Sequence, residues 1–303
     1  MSLLTIDLSD YLSGTNTLEQ DKDLAAELRN AYETIGFAYI TGWQCLVAPE
    51  LIKKVFQYNE QFFDLPQATK DNSNRGYLSF GREQASLSAE PSKIATEREI
   101  ANDQKETFEI GNDSDPLYPE HWPNENDIPG FKETMNTFHV ACHELHLRMM
   151  ALLALSLNLD IDFFLHVVMP SGEPMVFCHS RLGAHTDFGT VTLLWQDMCG
   201  RLQVSGPDGS WVDVKPNPGS EVFVVNLTRR SNNLLKSTVH HAVLPLKPGQ
   251  DPLKTPTRRS VAYFCNPDPE AMIECIPGLG ESLYEKINAG EYYAQALKGE
   301  IGV

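Results

Sequence analysis

Between Thr190 and Cys265 the chain breaks into six short strand-like runs separated by turn residues. They are Thr190 to Trp195, Arg201 to Val204, Trp211 to Val214, Glu221 to Leu227, Ser237 to Leu244 and Ser260 to Cys265. Gly206-Pro207-Asp208-Gly209 is a turn between two of them. Strands this short at this spacing predict a sandwich or jelly-roll barrel, because each must find partners far along the chain. One long helix precedes them, from Pro129 to Asn158. Its residues Phe138, Cys142, Leu145, Met149 and Leu152 form a single apolar stripe suited to packing on a sheet. The expected fold is mostly β with α: a jelly-roll core flanked by helices.

The first third adds helices around one strand. Leu18 to Ile35 has apolar residues at helical spacing and stops at Gly36. Phe37 to Thr41 is a buried strand, and Pro49 opens a helix that ends at Leu65-Pro66. Residues 67 to 128 are the least regular, with short segments Arg75-Gly76-Tyr77 and Lys105 to Glu109. A long loop of this kind is expected to be either a lid or binding loop, or simply a mobile segment. The tail, Glu291 to Leu297, closes as a helix. The expected organisation is a 1–130 region integrated with a 131–303 jelly-roll domain, with no internal repeat.

Composition removes several function classes. The 24 basic against 41 acidic residues give a net charge of -17, which repels duplexes and anionic membranes. An anionic cosubstrate therefore requires a specific local cation. No run of eighteen apolar residues occurs, and the N-terminus lacks the pattern of a secretory signal, so the expected location is cytoplasmic. The six cysteines form no C-x-x-C pair and are expected as reduced, mostly buried thiols.

The chemistry resides in Gly183-Ala184-His185-Thr186-Asp187-Phe188-Gly189-Thr190. Residues two apart in an extended strand share a face, so His185 and Asp187 can offer an imidazole and a carboxylate to one point. His240, 55 residues further on, lies in a strand-like run and can supply a third donor. Two histidines and a carboxylate on one face of a metal suit iron(II) and leave its other positions open. His139, His143 and His146 share a helix face, but without an H-E-x-x-H motif they are expected to line the edge of a core helix. Cys178 and His179 stand just before the H-x-D motif as lesser ligand candidates.

The order of motifs is more specific than any one of them. It runs Ile6-Asp7-Leu8, Gly36 to Ile40, Phe62 to Pro66, Arg75-Gly76-Tyr77, His185 to Gly189, Thr192 to Asp197, Val225-Asn226, Ser237 to His240, Arg258-Arg259-Ser260 and Ala289 to Tyr292. This series resembles the iron(II)/2-oxoglutarate dioxygenases of the isopenicillin N synthase-like superfamily over nearly the whole chain. The resemblance implies a double-stranded β-helix and iron on His185, Asp187 and His240, the last preferred to His241 by family position. It also implies an Arg-x-Ser pair, here Arg258 and Ser260, for the far carboxylate of 2-oxoglutarate. Strand alternation puts Arg258 and Ser260 on one face and Arg259 on the other, and a guanidinium fork matches a carboxylate. The implied reaction uses O2 and 2-oxoglutarate to oxidise a small organic molecule by hydroxylation, desaturation or ring closure, with succinate and CO2 as coproducts.

Three segments depart from the family. The strand before the H-x-D motif, Met169 to His179, is shortened and lacks the family's Tyr. Val225 to Ser231 is shorter and lacks the family's Gly-Asp. Gly42-Trp43-Gln44-Cys45-Leu46 replaces the usual His-Gly. Two alternatives stay open at the level of sequence: a related iron oxidase that uses no 2-oxoglutarate, and a non-catalytic binding protein of the same fold.

Overall fold

The computed structural model describes residues 2–70, 76–79, 105–111, 121–167, 175–180, 182–187, 189–216, 221–225, 227, 229–243 and 258–297. Arg75, Arg82, Met169 to Pro174, Phe188, Asn226, Thr228 and Leu244, named above or lying in the ranges given there, fall outside these residues.

The elements follow from local signals where those are strong. Helix α1 (Ser9–Ser13) follows strand β1 (Leu4–Asp7). Helix α2 (Leu18–Thr34) starts with a capping box between Thr17 and Gln20, and β2 (Phe37–Thr41) follows it. Helix α3 (Pro49–Phe63) has proline in its first turn, where no donor is lost. A one-turn helix α4 (Gln67–Lys70) and strands β3 (Tyr77–Leu78) and β4 (Lys105–Ile110) come next. The long helix α5 spans Phe131–Ser156, and α6 (Ala289–Leu297) closes the described chain.

The remaining strands are β5 (Met175–Ser180), β6 (Leu182–His185), β7 (Val191–Gln196), β8 (Leu202–Ser205), β9 (Trp211–Val214), β10 (Glu221–Val225), β11 (His240–Ala242) and β12 (Arg259–Cys265). A small hairpin pairs β13 (Met272–Ile273) with β14 (Ile287–Asn288). An eight-stranded sheet has the order β1-β2-β10-β7-β12-β5-β4-β3, and a four-stranded sheet has the order β6-β11-β8-β9. Two sheets joined by long crossovers make the double-stranded β-helix, a jelly roll.

The large sheet has two different faces. Its outer face packs on α5, where Phe138 meets Trp195 edge-on at 5.0 Å and Cys142, Leu145, Met149 and Leu152 are buried. Alternation places Val261, Tyr263 and Cys265 of β12 on this side and Ser260, Ala262 and Phe264 on the other. The inner face meets the small sheet through a core of Phe37, Leu202, Val204 and Val214, with Tyr39 and Leu194 against it. Gly36 lets the two parts approach. Its φ is +74°, and a Cβ there would stand 2.2 Å from the carbonyl oxygen of Lys236, in the segment leading to His240.

The three helix histidines stay apart from the inner face. His143 Nδ1 lies 3.1 Å from the Tyr263 hydroxyl, and His146 is fully buried at 0% exposure. Burial, and secondarily the neighbouring His143, push the His146 imidazole down to about 3 from 6.5. An imidazole that folds neutral stabilises the chain fully above pH 6.5 and loses that contribution as pH falls towards 3, because the unfolded state takes up the proton first. Between pH 7 and pH 5 this group alone removes about 2 kcal/mol. The stability difference between wild type and His146→Leu in urea unfolding is expected to shift in favour of the variant by that amount at pH 5; an equal difference at both pH values would refute it.

Candidate metal centre

Strands β6 and β11 are antiparallel neighbours in the small sheet, and their register sets His185 opposite His240. The strand ends at His185, so Asp187 stands two residues beyond it, where the sequence alone predicts one continuous strand. It still turns inward. Asp187 Oδ1 is 3.4 Å from His185 Nε2 and 3.5 Å from His240 Nε2. The three donor atoms lie within 4.8 Å of one another, and the imidazole centroids are 4.3 Å apart. Phe37 packs edge-on against His240 at 5.2 Å.

Each donor is oriented by a second contact. His185 Nδ1 is 2.8 Å from the Gly183 carbonyl oxygen, and His240 Nδ1 is 3.1 Å from that of Thr238. A carbonyl only accepts, so both Nδ1 atoms carry a proton, and Nε2 of each ring is the atom turned towards Asp187. The Thr192 hydroxyl donates to Asp187 Oδ2 at 2.6 Å, which turns Oδ1 towards the imidazoles. Burial alone would raise the Asp187 carboxyl, but the charge and hydrogen bonds of His240 and His185 hold it well below the usual carboxylate range. Burial pushes the His240 imidazole down, and the Asp187 carboxylate more than reverses this. Two imidazole Nε2 atoms and one ionised carboxylate, converging on one point, fit a ferrous ion by number, chemistry and spacing.

Neighbouring candidates separate cleanly. His241 stacks on Trp211 at 3.7 Å and meets Gln203 Oε1 at 2.9 Å, away from the cluster. Arg258 is 4% exposed; its Nε donates to the Gly200 carbonyl and its Nη1 to the Ser260 hydroxyl, each at 2.9 Å. Its charge reaches His240, where it opposes protonation. Arg259 points the other way, with Nη2 3.4 Å from Glu60 Oε1. The side chains of Cys178 and His179 lie outside the described residues.

Thr192 is a site residue that motif order did not assign a role, although it stands only five residues after Asp187. Thr192→Val keeps the shape and removes the hydroxyl. Iron affinity is expected to fall by about 10- to 100-fold, as for other outer hydrogen bonds to metal ligands. Anaerobic iron titration reads this directly, and an unchanged affinity would deny Thr192 the role.

A jelly roll with this donor set defines a class, the non-haem iron oxygenases. The comparisons narrow it. Residues 163–267 match the 2OG-Fe(II) oxygenase superfamily, and residues 4–125 match the N-terminal region described as non-haem dioxygenase in morphine synthesis. The 2-oxoglutarate-dependent dioxygenase gloF of Glarea lozoyensis is 31% identical, over 96% of this chain and 97% of that one. A full-length Neurospora crassa protein, crystallised in complex with alpha-KG and thymine, superposes with a TM-score of 0.84 at 33% identity, covering 99% and 97% of the two chains. A putative 2OG-Fe(II) oxygenase family protein from Caulobacter crescentus gives 0.79 at 26% identity over 99% of both chains. The chain belongs to the 2OG-Fe(II) oxygenase superfamily. It is a 2-oxoglutarate-dependent non-haem iron dioxygenase, with iron(II), 2-oxoglutarate and O2 as its cofactor set.

Proposed function

We propose that His185, Asp187 and His240 hold the iron and that Arg258 and Ser260 hold the far carboxylate of 2-oxoglutarate. The observation that most supports this is the convergence of three oriented donors within 4.8 Å. Iron(II) held by these residues would supply the chemistry that couples oxidative decarboxylation of 2-oxoglutarate by O2 to oxidation of a substrate C–H bond, with succinate and CO2 as coproducts. The Gly183 and Thr238 carbonyls fix the imidazoles in the tautomer that leaves Nε2 free to bind. Thr192 fixes the carboxylate. The Arg258 fork, set by Gly200 and Ser260, orients the dicarboxylate. The apolar core between the sheets excludes water from the reacting atoms.

The substrate is a small organic molecule; the Neurospora crassa relative is seen with thymine. The net charge of -17 argues against a nucleic-acid partner. Five described cysteines are free thiols, in keeping with a reducing cytoplasmic setting, although only Cys142 and Cys265 of them are buried. No helix among the described residues is long and apolar enough to cross a membrane. Residues 1–130 act with 131–303 as one catalytic unit, a reading supported by β1 and β2 sharing a sheet with β10 and β7.

The test is anaerobic titration with iron(II) and 2-oxoglutarate, followed by admission of O2 and measurement of succinate. One equivalent of iron and O2-dependent succinate are expected. Binding without succinate would favour a non-catalytic binding protein instead.

A further inference from the structure

The strand that carries His240 is short. β11 is three residues long, and its pairing with β6 shifts register between His240 and Ala242. Its regular pairing is with β8, where His240 stands opposite Val204 and His241 opposite Gln203. β8 in turn pairs with β9, which sets Gln203 opposite Asp213. His241, Gln203 and Asp213 therefore form one row across three strands. Leu202, Val204 and Val214 are buried in the core between the sheets, and His240 faces inward with them. Alternation turns the row the other way, onto the outer face of the small sheet. Trp211, two residues before Asp213 on β9, shares that outer face.

Side chains join the row. Gln203 Nε2 donates to Asp213 Oδ1 at 2.7 Å, and Gln203 Oε1 lies 2.9 Å from His241 Nε2. A carboxylate only accepts, so Asp213 fixes which end of the amide faces it. The amide oxygen is left for His241, whose Nε2 donates to it. The Trp211 indole lies flat on the same imidazole, with centroids 3.7 Å apart and planes 14° apart. The His241 ring is thus held at its edge by β8 and on its face by β9. Trp211 itself is 43% exposed, so this stack is built on the surface and not in the core.

We propose that Gln203, His241 and Trp211 are positioning residues for the metal centre: they pin β11 from its outer face and so set the angle at which His240 presents Nε2. The proposal rests on the iron assignment above. His240 and His241 are consecutive, so their side chains leave the strand on opposite faces. Rotation of β11 about its own axis swings both at once, in opposite directions. Fastening His241 to β8 and β9 stops that rotation. The carbonyl that meets His240 Nδ1 cannot do the same, because Thr238 lies two residues away and turns with the segment. A functional site tolerates a misorientation of only about 10–20° in its donors. Outer contacts that orient a metal ligand are accordingly worth about 10- to 100-fold in metal affinity.

Two readouts test it: iron(II) affinity by anaerobic titration, and the visible bands of the cobalt(II)-substituted protein, which report donor geometry. Gln203→Leu removes both hydrogen bonds and keeps the bulk. Trp211→Ala removes the stacked ring at an exposed position, outside the core. Each is expected to weaken iron binding by about tenfold and to shift the cobalt bands. Trp211→Phe restores a flat ring and should recover most of the affinity and the wild-type bands. Val212→Ala is the control, because Val212 packs on the inner core from the same strand and lies off the row. Urea unfolding compares the stability of all four variants, and the Trp211 pair decides the question even where Gln203→Leu fails to fold. Wild-type affinity in Trp211→Ala, unchanged cobalt bands, no recovery in Trp211→Phe, or an equal loss in Val212→Ala would each overturn this inference and leave the triad standing. A wild type that binds no iron overturns the triad and this inference together.

Discussion

Asp187→Ala is expected to bind no stoichiometric iron and to lose oxygenase activity by more than about 100-fold, beyond the usual cost of losing an outer hydrogen bond to a ligand. The carboxylate does three things that nothing else in the cluster does. It would supply the anionic donor of the proposed site, with Oδ1 3.4 and 3.5 Å from the two imidazole nitrogens. Its Oδ2 accepts from the Thr192 hydroxyl, a bond that is lost with it. It holds the charge balance of a buried site, in which burial and Arg258 both disfavour a charged His240. Without it, two neutral imidazoles face a ferrous ion with no local anion. The fold should persist, because Asp187 lies beyond the end of β6 and outside the apolar core. Asp187→Asn separates the contributions: it keeps the shape and removes the charge, so it should fall between wild type and alanine. The measurements are anaerobic iron titration, metal content after dialysis, and circular dichroism. Wild-type iron affinity in the alanine variant would remove the triad.

Elements with a strong local period were legible from residues alone. The β2 strand Phe37–Thr41 and the β9 strand Trp211–Val214 have the bounds expected of them, and α5 falls within its expected span. Elements whose order comes from distant partners were not. Tyr77 and Lys105 to Glu109 sit in a stretch of low local propensity, yet β3 and β4 extend the large sheet by pairing onto β5. β5 itself was visible only as a shortened family strand. Conversely, Ser237 to Leu244 has strand-like residues, but only His240–Ala242 pairs, because the preceding loop docks on Gly36 and α2. The same division holds at the site. The H-x-D motif and the clustering of His240, rather than His241, with it were legible through family order. Thr192, and the carbonyls of Gly183 and Thr238, act through space and left no motif.

Arg258→Ala is expected to raise the KM for 2-oxoglutarate by roughly 30-fold to several thousand-fold, the range for truncating one partner of a buried charge pair. Saturating cosubstrate should recover much of the turnover, because the arginine is proposed to hold the cosubstrate and not the iron. The reasoning starts from desolvation. A guanidinium at 4% exposure is costly to bury, and the Gly200 carbonyl and the Ser260 hydroxyl both help to orient it. A dicarboxylate adds the opposite charge, and in a chain of net charge -17 it needs such a cation to be drawn in at all. Ser260→Ala should cost less, roughly 10- to 100-fold in KM, since it removes one hydrogen bond to a charged group and loosens the fork. Arg258→Lys should behave nearer to alanine than to wild type, because an ammonium cannot reproduce the planar two-point grip or the Gly200 contact. Steady-state succinate formation against 2-oxoglutarate concentration, at saturating iron, reads all three. A KM for Arg258→Ala within threefold of wild type would mean that the far carboxylate is held elsewhere, and the shortened strand at β5 would then be the first place to look.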